Sequence, residues 1–244
     1  MKTASEPIPS AMWQPVKDAP GVHTAEYVLT NGFPVTTTAV TTRDGHTVVI
    51  SPPSRPTDDM LAGLEAIGKP AALIAPNHFH FLGVPGFRER YGDIPVIAGA
   101  TGHRRLAKKL GIAISRPEDI AAMLPAHVSI LEPAGLRSGE TWLRVEGQSG
   151  ITWVVCDALF NLGRVPPGVA GLFCRAVGVT VGLKASRTFS ILMVKDRRAY
   201  LAWLEDALTR DAPTGLVPGH GVHIHADPDL AARISEVIGR RLGR

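Results

Sequence analysis

Apolar residues alternate with Thr and other small polar residues over Val22 to Thr30, Thr36 to Thr42 and His46 to Ile50. Period two of this kind marks strands. Asn31-Gly32 and Asp44-Gly45 punctuate them as turn dipeptides, so this part of the chain predicts an antiparallel sheet. The period then changes. Met60, Leu61, Leu64 and Ile67 share one helical face behind Pro56-Thr57-Asp58, and Gly68 closes the helix. Ala71 to Ala75 is a short continuous apolar run, the mark of a strand covered on both faces. It leads straight into Pro76-Asn77-His78-Phe79-His80. Pro95 to Ala98 predicts a further strand, and Thr101 to Leu110 a basic helix. Ser115-Arg116-Pro117-Glu118 reads as a capping box that opens a helix ending near Leu124.

The second half repeats the scheme in outline. Val128 to Leu131, Trp142 to Val145 and Ile151 to Cys156 read as strands, and Arg198 to Thr209 as a long amphipathic helix. A short strand, Gly215 to Val217, ends at Pro218-Gly219-His220-Gly221. Asp227-Pro228 caps a last helix with Leu230, Ile234, Val237 and Leu242 on its apolar side. Strand runs followed by alternating helix and strand, twice over, predict an α+β chain of two stacked sheets with helices outside. That is one four-layer domain over residues 21–244. Residues 1–20, rich in Pro, Ser and Ala, read as a loosely held arm.

Composition acts mainly by exclusion. The chain has 244 residues, 45% of them apolar, and a net charge of +4. That balance supports a large core and excludes disorder as the main state. The longest apolar stretches are short or interrupted, as Gly171 to Leu183 is by Arg175, so no membrane span is expected. The first dozen residues hold no apolar block of signal-peptide length, which makes the cytoplasm the expected location. Cys156 and Cys174 form neither a disulfide scaffold nor a CxxC pair. The basic run His103 to Lys109 lacks interleaved aromatics, which disfavours nucleic acid as a partner. No GxSxG, GxGxxG or Walker-type loop supports a serine nucleophile or a nucleotide cofactor.

Histidine carries the chemical signal. His78 and His80 follow one buried strand, and His220, His223 and His225 follow another. Strand ends are where layered α/β folds place ligands. On extended chain, imidazoles at i and i+2 point to the same side and can meet one ion. Taken alone, two satisfied polar residues is the plainer reading of that pair. Asp157 ends the apolar run Trp153 to Cys156, where a carboxylate needs a partner, a cation or a turn to cap. His220 stands between Gly219 and Gly221, in a turn that suits a ligand and an exposed side chain equally. Trp153, Trp203, Phe173, Phe79 and Phe81 read as core.

In this order, the elements resemble the metallo-β-lactamase superfamily, in the branch that includes the glyoxalase II type hydrolases. That signature is a strand leading into HxHxDH-x-GG, a His in a Gly-flanked turn, a strand ending in Gly-Asp, and Pro-Gly-His-Gly. His78 to Gly86 lies over the first motif, Gly147 to Gly150 over the second, Cys156 to Phe160 over the third, and Pro218 to Gly221 matches the fourth. The resemblance covers residues 22–242. Leu82 and Gly83 replace the Asp and third His of the first motif, and Gln148 replaces the middle His. With Pro76-Asn77 after the motif strand, the chain is similar to a smaller subgroup that lacks the Asp-His pair.

The resemblance implies an αββα sandwich with His78, His80, Asp157 and His220 as the surviving metal ligands. Two divalent ions would set four positive charges against one evident carboxylate, so one ion at most is expected, zinc before iron or manganese, or none. Three protein ligands and an open position is the pattern of catalytic zinc. Asp157 and His220 are also the expected catalytic groups, the first orienting the attacking water, the second acting as ligand or as acid–base. Contributions from Gln148, His223 and His225 stay open, as does the oligomeric state. The implied activity is hydrolysis of a small-molecule ester, thioester, lactone or phosphoester. The alternative is a non-catalytic protein that keeps the scaffold and binds no metal. Segments 31–36, 87–93 and 163–186 are expected as loops over the cleft. The last, with Arg164, Arg175 and Lys184, and Arg187 just after it, is either a solvated cover or a contact for an anionic substrate.

Overall fold

Valine and threonine lose little by being held extended, and the first strands are built from them. In the computed structural model of the chain, which describes residues 13–29 and 33–243, β1 (Gln14–Pro15), β2 (Val22–Val28), β3 (Pro34–Thr41) and β4 (Thr47–Ile50) pair antiparallel in that order. The Asn31-Gly32 turn lies outside the described residues. Helix α1 (Asp58–Ile67), capped by the Thr57 hydroxyl, carries the chain over to β5 (Pro70–Ile74), parallel to β4. Helix α2 (Val84–Tyr91) leads to β6 (Val96–Ile97), parallel to β5, and α3 (His103–Leu110) follows. These six strands form the first sheet.

The second sheet has the order β12-β9-β8-β7. Strands β7 (Val128–Leu131), β8 (Trp142–Gly147) and β9 (Gly150–Val154) make an antiparallel meander. A cover then intervenes, with β10 (Phe160–Leu162), α4 (Gly168–Ala176) and β11 (Gly182–Lys184), where β10 and β11 pair with each other. After α5 (Arg197–Asp211), β12 (Gly215–Val217) adds parallel to β9, and α6 (Leu230–Leu242) closes the chain.

Side-chain alternation assigns the layers. Val48, Ile50, Ile74, Val145, Val154 and Val217 meet between the sheets. Their strand neighbours Val49 and Leu73 turn outward to Leu64, Phe87 and Leu106 of the first helical layer. Trp153 and Leu216 turn outward to Leu204, Ile234 and Ile238 of α5 and α6. Strands apolar on both faces are what a sheet covered on both sides requires. The result is the expected αββα sandwich.

Several local expectations are corrected. Segment 87–93 was expected as loop, but it is largely the end of α2, with Pro85 near the helix start where its missing N–H costs nothing. The helix expected from Pro117 to Leu124 is one 3-10 turn, Pro117–Ile120. Asp119, not Glu118, accepts from the Arg116 amide, at 2.8 Å. Residues 13–20 are not loose: the Trp13 indole donates to the Met60 carbonyl at 2.9 Å, and Val16 and Ala19 enter the inter-sheet core. The rest of the predicted arm lies outside the described residues. Among the described residues no helix is long and apolar enough to cross a membrane.

Candidate metal centre

Parallel pairing brings the C-terminal ends of β4 and β5, and of β9 and β12, to one edge of the sandwich. Ser51 follows β4, residues 77–80 follow β5, Asp157 follows β9, and His220 follows β12.

Asn77 decides the course of the chain after β5. Its side-chain Oδ1 accepts from the amides of Phe79, at 2.8 Å, and His80, at 3.2 Å, so the backbone bends into a turn. The rule that i and i+2 share a side holds only for extended chain, and here it lapses. His80 faces Asp157, with Nε2 3.3 Å from Oδ1. His78 does not join it. His78 Nδ1 lies 3.3 Å from the Ser138 carbonyl and its ring packs on Phe79. Burial and the charges of Arg105 and Lys109 hold its pKa below the ordinary value.

His220 approaches from the other sheet, with Nε2 3.1 Å from the same Oδ1. Gly221 next to it has φ +109°, and a Cβ there would collide with the Asn161 carbonyl, so glycine is required. His80, Asp157 and His220 each offer one ligand atom, all within 4.8 Å of one another.

The far side of each ring is held by a polar partner. His220 Nδ1 lies 2.8 Å from the Pro34 carbonyl, which can only accept, so Nδ1 carries hydrogen. His80 Nδ1 lies 2.7 Å from Ser51 Oγ. A neutral His220 held this way aims its Nε2 lone pair at an anionic oxygen, which repels it unless a proton or a cation lies between, and Ser51 Oγ, which can donate or accept, holds His80 in place in either tautomer. Burial pushes the Asp157 carboxyl up, but His80 and His220 together hold it well below the usual range. Burial pulls the His80 imidazole down, and Asp157 more than reverses that. Tetrahedral zinc with bonds of 2.0 to 2.1 Å sets its ligands about 3.3 Å apart. The separations from Asp157 Oδ1, 3.1 and 3.3 Å, fit that spacing, and all three ligand atoms lie within 4.8 Å of one another.

No family model matches the chain, and no curated protein matches it. Solved structures do. DIM-1 metallo-β-lactamase is similar with a TM-score of 0.62 at 11% identity, over 95% of this chain and 98% of that one. The metallo-β-lactamase from Pontibacter korlensis gives 0.57 at 13%, over 93% and 99%. FIM-1 from Pseudomonas aeruginosa, in its mono-zinc form, gives 0.59 at 13%, over 96% and 97%. The chain has the metallo-β-lactamase fold.

Gly83 starts α2 so close to Pro52 and Pro53 that a Cβ would collide with their carbonyl oxygens. No His fits there. Leu82 is 58% exposed. Gln148 is placed differently from the expectation. It lies in the exposed β8–β9 turn, at the opposite end of β9 from Asp157. The rings of His223 and His225 meet edge to face with centroids 5.8 Å apart, outside the Asp157 group. Burial and His225 push His223 down to about 4.

Four site residues escaped the sequence reading. Asn77 Nδ2 donates to Asp157 Oδ2 at 2.8 Å. Ser51 holds His80 from a left-handed backbone, φ +55°, that a non-glycine residue rarely adopts. The Tyr27 hydroxyl hydrogen-bonds Ser51, and burial raises its pKa to about 12. Glu140 is buried, and its Oε1 accepts from the Trp142 indole at 2.9 Å and the Ala158 amide at 3.1 Å. Burial and the neighbouring Asp157 push its carboxyl up to about 7. None sits in a recognisable spacing, although Pro76-Asn77 stood beside the His pair.

A cavity of about 430 Å³ opens over His80, Asp157 and His220. Segment 163–186 covers it through α4 and β11 rather than as plain loop. Its apolar side chains line the space, and Arg164, Arg175, Lys184 and Arg187 do not. Phe79 and Phe173, read as core, line it too and are 42% and 54% exposed.

Proposed function

We propose that the chain is a metal-dependent hydrolase of the metallo-β-lactamase superfamily, in a subgroup with a reduced site. It holds one divalent ion on His80 Nε2, His220 Nε2 and Asp157 Oδ1, zinc before iron or manganese. The observation that carries this is the shared direction of two Nε2 atoms whose Nδ1 partners are Ser51 and Pro34. Bonding of the second ring nitrogen is how proteins orient metal-ligating imidazoles. A second ion lacks ligands, because Asn77 takes Oδ2 of Asp157 and Gly83 and Leu82 offer no donor. FIM-1, similar in fold, is described in a mono-zinc form.

A divalent ion in such a site polarises a carbonyl or phosphoryl oxygen and acidifies a water. The chain's own residues do the rest. Asp157, its Oδ2 held by the Asn77 amide at 2.8 Å, would orient the attacking water beside the ion. Phe160 stacks on His220 with centroids at 4.9 Å, and Phe33 packs at 4.8 Å, keeping water from one side of the ring. Candidate substrates are small-molecule esters, thioesters, lactones and phosphoesters.

Metal analysis of protein purified without chelator tests the reading. Near one equivalent is expected, lost in His80→Ala, and chelation should lower the melting temperature, since a ligand that binds only the native state stabilises it. No metal at all, and no thermal gain from added zinc, manganese or iron, would leave the non-catalytic alternative.

A further inference from the structure

We infer that the cavity takes an uncharged acyl compound with an apolar body, which rests on the hydrolase reading only for the step that follows binding. Five of the chain's seven phenylalanines line this one space: Phe33, Phe79, Phe160, Phe173 and Phe189. Its charged and strongly polar groups gather in one cluster, His80, Asp157 and His220, whose ligand atoms lie within 4.8 Å of one another. Elsewhere the polar lining is limited to the hydroxyls of Ser186 and Thr188 and the buried Cys174 thiol. Among the described residues no Lys or Arg lines it.

Charge narrows the occupant. A compound with a charge on its body, as a dicarboxylate has, would leave that charge among the aromatic walls with no basic side chain to meet it, and desolvating an unpaired charge is costly. A neutral ester, thioester or lactone meets no such penalty. Its carbonyl has polar groups at one end, and its hydrocarbon part has aromatic walls behind it. The volume falls within the roughly 300 to 1,000 Å³ of ordinary small-molecule sites.

The mouth has the same character. Val169 is 82% exposed and Phe173 54%, and both belong to the lining. Exposed apolar surface that continues into a cavity marks a binding groove. Segment 163–186 supplies this lip, so its basic residues serve the outside of the cover.

Alkanamides, which carry the carbonyl but resist hydrolysis, test the inference by calorimetry on the chain as purified. From acetamide to octanamide, affinity should climb by up to about fourfold per methylene, the equivalent of about 0.8 kcal/mol. The monoamide of octanedioic acid, with a carboxylate at its far end, should bind at least about tenfold more weakly than octanamide. Phe173→Ser, at an exposed position that spares the fold, should flatten the series. A flat series in the parent protein overturns the inference, and so does equal or tighter binding of the charged amide. Acetyl and octanoyl esters of one alcohol separate the two readings. A rising amide series without turnover of either ester sinks the hydrolase and keeps the ligand class. Equal turnover of both esters with a flat series does the reverse.

Discussion

The side-chain amide of Asn77 reaches Oδ2 of Asp157 at 2.8 Å across 80 positions of sequence, and so leaves Oδ1 to face both imidazoles. Asn77→Ala removes that bond and the two backbone contacts that shape the turn after β5. At roughly 1 kcal/mol per buried hydrogen bond, the loss should be about 3 kcal/mol in urea denaturation. Metal affinity should fall with it. A loss below about 1 kcal/mol with unchanged metal content would mean the turn is held by other contacts.

His78 and His80 should behave unlike each other. His80→Ala should empty the site, whereas His78→Ala should retain near one equivalent, since His78 is turned to the Ser138 carbonyl. Metal content of the two purified variants decides this. Equal loss in both would restore the pair as joint ligands.

Ser51→Ala tests the outer support of His80. The hydroxyl at 2.7 Å fixes the ring, and losing such a partner costs about 10- to 100-fold in metal affinity. Competition against a chelating dye measures the effect. An unchanged dissociation constant would show that packing alone orients the imidazole.

Asp211 predicts acid sensitivity remote from the site. Its enclosed carboxylate accepts from the Trp153 indole at 3.0 Å, Arg144 at 3.1 Å and Arg210 at 2.8 Å. Burial pushes its pKa up, but these donors hold it below the ordinary value. A depressed carboxylate stabilises the fold above its unfolded pKa, and that contribution is lost as pH falls through the folded one. Asp211→Ala should therefore cost about 2 to 3 kcal/mol at neutral pH, discounted because Arg210 is half exposed. The gap should close in acid, while metal content stays the same. A gap that persists at low pH would assign the loss to packing.

Legibility followed the range of the interaction. The alternation of Val48, Val49 and Ile50 announces two covered sheet faces, because neighbouring side chains on a strand must point to opposite sides. The ends of β9 and β12 announced Asp157 and His220 for the same local reason. Helix α2 escaped because Gly83 and Pro85 look like breakers until the start of the helix is seen packed on Pro52 and Pro53. Helix α4 escaped because its Val169, Leu172 and Phe173 face outward, so its apolar positions do not trace a core-facing stripe.

By itself the sequence determined the layers and the strand ends that carry chemistry, since burial patterns and turn residues act over a few positions. Only the tertiary structure decided which side chains meet: His80 but not His78, Asn77 on Asp157, and Glu140 behind it. A single Asn side chain turned two histidines two residues apart in different directions. Its partner Asp157 lies on another sheet, and no local pattern encodes the distance between them.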